Sequence, residues 1–427
     1  MAEVARNRYV FEGIGKDLHG NLPEIARSMK AAKENAVLVF SVDYKFGVLG
    51  APDPTRAIRL CDAFDLDGDC LVIEPDSVDL ARLKAQSPLA ADDYLHLVLA
   101  NHTGKLLAGL LGAGDHFAVG PGRPVNHIAH YIARCAPQRR LRGIRVTPLA
   151  GRFGAHSWAI SGPRHARPMD ADDATYIVAL ALEGQLGTEF SSIGHSLFAE
   201  TPDEAQRIMR DNCRFQPGGL WADNAVPKWG VIGVGAVGEN SGHRLAGLFQ
   251  SRPDPSVYNY LQHAAGQIAE LISRIKGIKN APGCVLSDVV NRYYLALPLP
   301  GKLRGMDGAR FADLKTDYAD VLADIDALNG RVVATEWAHL RQIPSLIAVA
   351  GGDLKHASLW TLLLAGWPDR PNKQHIIKGL NTDLETAKTL WRAQEDWKAC
   401  SHDVQQWCLD VVARMFGLPL QPTTQRL

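Results

Sequence analysis

The segment Ile343–Leu364, which reads IPSLIAVAGGDLKHASLWTLLL, contains the pattern that decides the fold. The apolar run Leu346–Val349 predicts a short buried strand, Gly351 and Gly352 close it, and an amphipathic helix follows. Backbone N–H groups at such a turn point away from the strand, under the positive end of the helix dipole. Lys355 adds a positive charge in the first helical turn. The segment therefore predicts either an anion site, above all for a phosphate group, or an ordinary tight turn with a solvated lysine.

The rest of the chain repeats this succession of helices and short apolar strands. Strands are predicted at 37–42, 70–74, 116–120, 143–149, 230–235, 346–349 and 375–380. Helices are predicted at 22–37, 53–64, 90–111, 125–135, 172–183, 201–212, 257–275, 313–328, 355–364 and 385–415. This alternation predicts an α/β fold with a doubly wound, mostly parallel sheet. We expect a short helical N-terminal segment (1–45), one large α/β domain (46–395) and a helical C-terminal extension (396–427).

Composition narrows the class of protein. Lys plus Arg and Asp plus Glu both number 46 in the 427 residues, so overall charge gives no case for nucleic-acid binding. The chain lacks a signal-peptide pattern and any apolar run of about 18 residues, which predicts a cytoplasmic protein without a membrane partner. The seven cysteines are scattered and odd in number, which disfavours a disulfide framework or a thiolate metal site. We expect no metal and no cofactor.

A glycine-rich loop follows the predicted strand at 230–235. The sequence from Gly233 to Gly238 matches the Gly-x-Gly-x-x-Gly dinucleotide fingerprint. A true fingerprint needs an acidic residue at the end of a second strand about 20 positions on. Asp254 has that spacing but follows no apolar strand, so NAD is rejected. Gly235 is expected to shape a loop over a ligand, with polar contributions from Glu239, Asn240 and Ser241.

A second glycine loop follows the strand at 116–120. Gly120, Gly122 and Arg123 stand between that strand and the next helix, where N–H groups and a guanidinium meet an anion. A plain glycine-proline turn is the alternative. Both glycine loops are expected at the carboxyl ends of parallel strands, where open α/β sheets bind ligands.

Three further polar residues, Asp288 and the pair His127 and His130, each have two interpretations. Asp288 ends an apolar run, where it either accepts hydrogen bonds from ligand hydroxyls or is a simple strand-end aspartate. His127 and His130 form a His-x-x-His pair without an acidic partner nearby, which favours a surface or core pair over a metal site.

Taken in order, these segments resemble the effector-binding domain of SorC-family bacterial sugar-sensing transcription regulators. The resemblance runs from about residue 60 to 390. It rests on DAFDLDGDCLVIE (62–74), LLGAGDHFAVGPGRPVNHIAHYI (110–132), GCVLSDVVNRYYLALPLPG (283–301) and, most strongly, LNGRVVATEWAHLRQIPSLIAVAGGDLKHASLWTLLLAG (328–366).

The resemblance implies a Rossmann-like fold similar to the glucosamine-phosphate deaminase and ribose-phosphate isomerase group, and a phosphorylated sugar as effector. It implies that Lys355 contacts the phosphate and that Asp288 contacts sugar hydroxyls. The loop from Gly120 to Pro124 would hold the phosphate. Family members usually have a hydroxyl residue where this chain has Pro124, and Arg123 is expected to compensate. The resemblance also implies a homo-oligomer, a dimer or tetramer, with operator DNA as a further partner.

The N-terminal segment departs from the family pattern. Residues 26–39 resemble the end of a helix-turn-helix and its linker helix, but only 25 residues precede them, and the charges of residues 1–40 nearly balance. We therefore expect a shortened DNA-binding module with weakened or lost DNA binding. An enzyme of the isomerase or deaminase type is the competing interpretation, with Asp288, Glu239 or His243 as the proton shuttle. A DNA-free sensor is the third.

Overall fold

The computed structural model describes most of the chain. The described residues are 50–75, 80, 81, 83, 85, 88–139, 143–151, 174, 175, 178, 189, 190, 197–215, 226–237, 255–278, 284–367 and 375–419. The predicted helix at 22–37, the predicted strand at 37–42 and the predicted N-terminal module therefore lie outside them.

The described residues form ten strands and eleven α-helices. The strands are β1 (Gly50–Pro52), β2 (Leu71–Pro75), β3 (His116–Val119), β4 (Arg145–Pro148), β5 (Glu189–Phe190), β6 (Trp229–Val237), β7 (Val285–Val289), β8 (Arg292–Ala296), β9 (Ser345–Val349) and β10 (Gly379–Asp383). The helices are α1 (Pro54–Phe64), α2 (Pro88–Leu110), α3 (Arg123–Arg139), α4 (Pro202–Phe215), α5 (Pro255–Gly277), α6 (Pro300–Leu303), α7 (Gly308–Gly330), α8 (Trp337–Leu340), α9 (His356–Leu364), α10 (Leu384–Lys398) and α11 (His402–Phe416).

The strands form one sheet in the order β1-β2-β10-β9-β6-β3-β4-β5. All neighbours along this path are parallel except β1 and β2. The hairpin β7–β8 is joined antiparallel to the last part of β6. The predicted α/β class with a mostly parallel, doubly wound sheet is confirmed.

Helices cover both faces of the sheet, because strands such as β9 have apolar side chains on both faces. Leu346 and Ala348 pack into the larger apolar cluster with α1, α5, α7, α9, α10 and α11. Ile347 and Val349, on the opposite face, pack against α2 and α3. A parallel strand buried on both faces is apolar along its buried length, as Leu346–Val349 of β9 are.

The direction of winding reverses between β3 and β6. From β3 the chain proceeds to β4 and β5 on one side, and from β6 it proceeds to β9 and β10 on the other. Helix α3, which follows β3, and helix α9, which follows β9, lie on opposite faces of the sheet. The carboxyl ends of β3, β6 and β9 therefore border the crevice where open α/β sheets bind ligands.

The predicted bounds of the last strand were wrong. The strand is Gly379–Asp383 rather than 375–380, because the buried strand ends in the polar residues Asn381, Thr382 and Asp383. The helical material predicted at 385–415 consists of two helices, because Ser401 accepts a hydrogen bond from the N–H of Val404 and starts α11 there. Among the helices described, none combines the length and hydropathy needed to cross a bilayer.

Candidate functional site

Three of the predicted site residues come together at the crevice. Lys355 follows β9, Asp288 lies near the end of β7, and Arg123 is the first residue of α3. The ammonium group of Lys355 interacts electrostatically with Asp288, with Arg123 and with Asp92 of α2. Burial, opposed by the two carboxylates, lowers the pKa of Lys355. The structure thus unites residues that are far apart in the sequence.

Gly235 provides the space that Asp288 occupies. The two residues are direct partners in the antiparallel pairing of β6 with β7. A Cβ atom at position 235 would overlap the Asp288 carboxylate. The glycine is therefore required beneath the carboxylate, which is a different role from the predicted one of shaping a loop over a ligand.

The Asp288 carboxyl group is in an unusual environment for an acid. Burial raises its pKa, and Lys355 and a hydrogen bond from the backbone N–H of Asn291 oppose the increase. The tight turn after β7 places Val290 and Asn291 at φ 50° and 63°, in the left-handed region. Such a conformation is strained for a β-branched residue like Val290. The turn directs the Asn291 N–H towards the carboxylate.

Helix α2 contributes two residues that the sequence analysis missed. Asp92 Oδ2 lies 3.7 Å from a terminal guanidinium nitrogen of Arg123 and 3.6 Å from Nδ1 of His96. His96 is buried, and burial, followed by the charges of Lys355 and Arg123, lowers its pKa well below the ordinary value. Arg123 therefore has a carboxylate partner within the protein. The only sequence signal was the Asp-x-x-x-His spacing, which places both residues on one helix face.

His127 of α3 lies beside this cluster. Burial, with smaller effects from His130 and Arg123, lowers its pKa to about 4. His127 and His96 are consequently neutral near pH 7. No group of three His, Cys, Asp or Glu side chains in the described part of the chain has the arrangement of a metal site.

The glycine loop after β9 is held by hydrogen bonds to residues at the end of the neighbouring strand β10 and the start of α10. The N–H of Gly352 donates to Asp383 Oδ2 and to Thr386 Oγ1, both at 3.0 Å. Gly352 has φ 90°, which favours glycine, and a Cβ at Gly351 would overlap the Asp383 carboxylate. The N–H of Gly352, which was predicted to face an anion, thus donates within the protein instead. A short 3₁₀ turn (Asp353–Lys355) precedes α9.

The loop after β3 has two glycines with separate structural reasons. The N–H of Gly120 donates to the carbonyl of Val231 at 2.8 Å, and a Cβ at Gly120 would lie 3.0 Å from Ile232 Cγ2. Gly122 has φ 120° and its carbonyl accepts from the N–H of Asn126 in the first turn of α3. The loop positions Arg123 at the crevice. Glu239, with Asn240, Ser241 and His243, lies outside the described residues.

The arrangement combines two cations, two carboxylates and neutral imidazoles at one crevice. Carboxylates accept hydrogen bonds from hydroxyl groups, whereas guanidinium and ammonium groups bind anionic oxygens. A polyol with an anionic group matches both kinds of partner. Opposite pKa shifts in neighbouring groups, raised at Asp288 and lowered at Lys355, are frequent at functional sites.

Comparison with known proteins gives structural similarities only. No protein-family model matches the chain, and no curated protein is similar to it in sequence. The chain is similar to a domain, assigned as sugar-binding, of a transcriptional repressor from Vibrio fischeri (17% identity, 80% of this chain, 100% of that chain, TM-score 0.47). It is also similar to the full-length sorbitol operon regulator SorC from Klebsiella pneumoniae (14% identity, 91% and 99% covered, TM-score 0.43). A third is a DeoR family transcriptional regulator from Listeria monocytogenes (13% identity, 79% and 98% covered, TM-score 0.44). The class of regulator that the sequence resembles is thus also represented among the solved structures similar to this chain.

Proposed function

We propose that this protein is a sugar-phosphate-sensing transcriptional regulator of the SorC type, in which ligand binding is coupled to the oligomeric and DNA-binding state. The observation that carries the proposal is the convergence of Lys355, Arg123 and Asp288 at the crevice. Lys355 and Arg123 bind the phosphate, and Asp288 accepts hydrogen bonds from sugar hydroxyls. The loop containing Glu239 closes over the ligand.

A ligand screen tests the proposal directly. The purified protein is heated with a panel of sugar phosphates, with the unphosphorylated sugars, and with NAD as a control. A ligand at about 100 times its dissociation constant adds about 2.7 kcal/mol to the free energy of unfolding, which a thermal-shift assay detects. We expect stabilisation that requires the phosphate group. Absence of any shift, or a shift with NAD alone, contradicts the proposed site.

Lys355→Ala then tests the predicted phosphate contact. A hydrogen bond to a charged group contributes about 1.5 to 3 kcal/mol, so the dissociation constant should rise roughly 10- to 100-fold. Lys398→Ala is the matched control. Lys398 pairs with Glu395 on the surface at the C-terminal end of α10, about 20 Å along that helix from its N-terminal end. Unchanged binding by Lys355→Ala, measured by titration calorimetry, would mean that the lysine does not contact the ligand.

The regulatory part of the proposal concerns the segment 1–45 and the oligomer. We propose that this segment belongs to a helix-turn-helix module with its linker, that the protein acts in the cytoplasm as a dimer or tetramer, and that operator DNA is its partner. Light scattering and binding to a random-sequence DNA pool, each with and without the sugar phosphate, test this. Ligand binding should change at least one of the two states. A monomer that binds no DNA in either condition contradicts regulation by DNA binding.

A sugar-phosphate isomerase or deaminase is the second candidate function. It is favoured by burial of the Asp288 carboxyl group, which raises its pKa in the direction that a carboxyl group acting as a proton shuttle requires. Incubating each stabilising sugar phosphate with the protein and recording NMR spectra distinguishes the two functions. Conversion that Asp288→Asn abolishes supports the enzyme, whereas an unchanged ligand supports the sensor.

A further inference from the structure

The structure brings together two cysteines that are nine positions apart in the sequence. The sulfur of Cys61, in the last turn of α1, accepts hydrogen bonds from the thiol and the backbone N–H of Cys70, just before β2. Both side chains are half-buried and neither is in a disulfide. The scattered cysteine positions gave no indication of this pair, because the contact depends on how the chain turns between α1 and β2.

The turn between the two cysteines is held firmly. Asp65 ends α1 in the left-handed conformation, and the N–H of Gly68 donates to the carbonyl of Lys378 at 2.7 Å. A Cβ at Gly68 would lie 2.7 Å from that carbonyl oxygen, so only glycine allows the close approach. The Cys61 thiol lies 3.7 Å from the carbonyl of Gly68. The two sulfurs are thus held near each other by backbone contacts.

The two thiols also differ in the direction of their pKa shifts. The hydrogen bond from Cys70 lowers the pKa of Cys61, whereas that bond and burial raise the pKa of Cys70. Burial raises the pKa of Cys284, of Cys400 and, most strongly, of Cys408. Among the cysteines with described side chains, Cys61 therefore has the greatest thiolate character, and the thiolate is the nucleophile.

We propose that Cys61 and Cys70 form a reversible redox pair that peroxide converts into a disulfide. The Cys61 thiolate attacks one oxygen of hydrogen peroxide and forms an S–O bond while the O–O bond breaks. Hydroxide is the leaving group, and Cys61 becomes a sulfenic acid. The Cys70 thiol then attacks that sulfur, and the hydroxyl group leaves as water. In total, two thiols and one peroxide give one disulfide and two water molecules. A dithiol reductant reverses the reaction by thiol–disulfide exchange.

Oxidation changes a contact inside the sheet. The Cys70 sulfur lies 3.4 Å from the backbone N–H of Leu380, which donates to it. Leu380 belongs to β10, the strand that ends at Asp383. When Cys70 turns towards Cys61 to form the disulfide, this hydrogen bond is weakened or lost. The redox state of the pair is thereby transmitted to β10.

Peptide mapping of the full chain tests the proposal. The protein is treated with hydrogen peroxide, denatured, alkylated with N-ethylmaleimide and digested with trypsin. Because no lysine or arginine lies between Leu60 and Arg82, both cysteines remain in one tryptic peptide. We expect that peptide to carry no maleimide and to lack two hydrogens, and to carry two maleimides after dithiothreitol. Two maleimides on the peptide after peroxide treatment would overturn the proposal.

Variants and hydrogen exchange complete the test. Cys284→Ser should leave the loss of two hydrogens intact, whereas Cys61→Ser and Cys70→Ser should each abolish it. The amide of Leu380 should exchange faster in the oxidised than in the reduced protein. A disulfide without faster exchange at Leu380 would overturn the transmission to β10. None of these readouts depends on the sugar-phosphate function.

Discussion

Asp383→Asn separates two roles that the Asp383 carboxylate fills at the start of α10. One oxygen caps the helix by accepting from the N–H groups of Glu385 and Thr386, both at 3.0 Å. The other accepts from the N–H of Gly352 at 3.0 Å and from the hydroxyl of Thr386 at 2.6 Å. Asparagine caps a helix about as well as aspartate. Its amide nitrogen, however, would face the donors of Gly352 and Thr386.

The expected loss of stability follows from that mismatch. The Gly352 N–H keeps Thr386 Oγ1 as an acceptor, whereas the Thr386 hydroxyl loses the carboxylate. A buried donor left without an acceptor costs about 1 to 3 kcal/mol, so Asp383→Asn should lower the free energy of unfolding by that amount. Asp383→Ala also loses the cap, which adds about 0.5 to 2 kcal/mol. Urea denaturation followed by tryptophan fluorescence measures both changes. Glu385→Gln is the matched control, because this exposed carboxylate pairs with Lys388 and should contribute at most about 1 kcal/mol.

The direction in which Asp383→Asn changes ligand affinity distinguishes between two roles of the carboxylate. If Asp383 were only a negative charge near an anionic ligand, its neutralisation would strengthen sugar-phosphate binding. If it holds the glycine loop, its loss displaces Gly352, whose carbonyl accepts from the N–H of Lys355 at 3.0 Å. We expect weaker binding, by roughly 10-fold or more, because the lysine moves with the loop. Equal or tighter binding by Asp383→Asn in titration calorimetry would refute the role of Asp383 in holding the glycine loop.

Two further substitutions test the site from other sides. Gly235→Ala should lower the free energy of unfolding by about 1 to 3 kcal/mol and weaken ligand binding, because the new Cβ overlaps the Asp288 carboxylate. Gly266→Ala, whose added Cβ meets nothing within 4 Å in α5, should instead stabilise by up to about 1 kcal/mol in the same urea titration. His127→Gln should flatten the pH dependence of stability. The unfolded chain protonates His127 below its ordinary pKa of 6.5, whereas the folded protein does so only near 4. The contribution of His127 is therefore complete above pH 6.5 and lost as the pH falls towards 4. Parallel curves for wild type and variant between those values would contradict this.

The alternation of helices and strands was predictable because it depends on local patterns. Strand β9 is apolar at four of its five positions, and two glycines follow it closely, so its type and position could be predicted from the sequence. Strand β10 was misplaced because three of its five residues are polar, although all are buried. The β7–β8 hairpin was missed because its turn, Val290-Asn291, lacks the glycine that marks such turns.

The composition of the site was only partly predictable, for a topological reason. Lys355, Arg123 and Asp288 each follow or end an apolar run, so a strand-end rule finds them. Asp92 and His96 lie inside a helix, and nothing local marks them. They reach the crevice because the chain crosses from β2 to β3 past β10, β9 and β6, which brings the start of α2 over the strand ends. Only the strand order reveals that contact.

The charge balance of the candidate site bears on the proposed preference for a phosphorylated sugar. Arg123 and Asp92 are 3.7 Å apart and each keeps about 30% of its side chain exposed (31% and 27%), so their ion pair contributes at most about 1 kcal/mol. A phosphate can therefore replace Asp92 as the partner of Arg123 with little loss of interaction free energy. A neutral sugar has no anionic group that could replace Asp92, so Lys355 would keep Asp92 and Asp288 as its partners. If a phosphate draws Arg123 from Asp92, the freed Asp92 carboxylate becomes a second acceptor for hydroxyl groups beside Asp288. Binding of the phosphate and recognition of the sugar would then be coupled through one arginine.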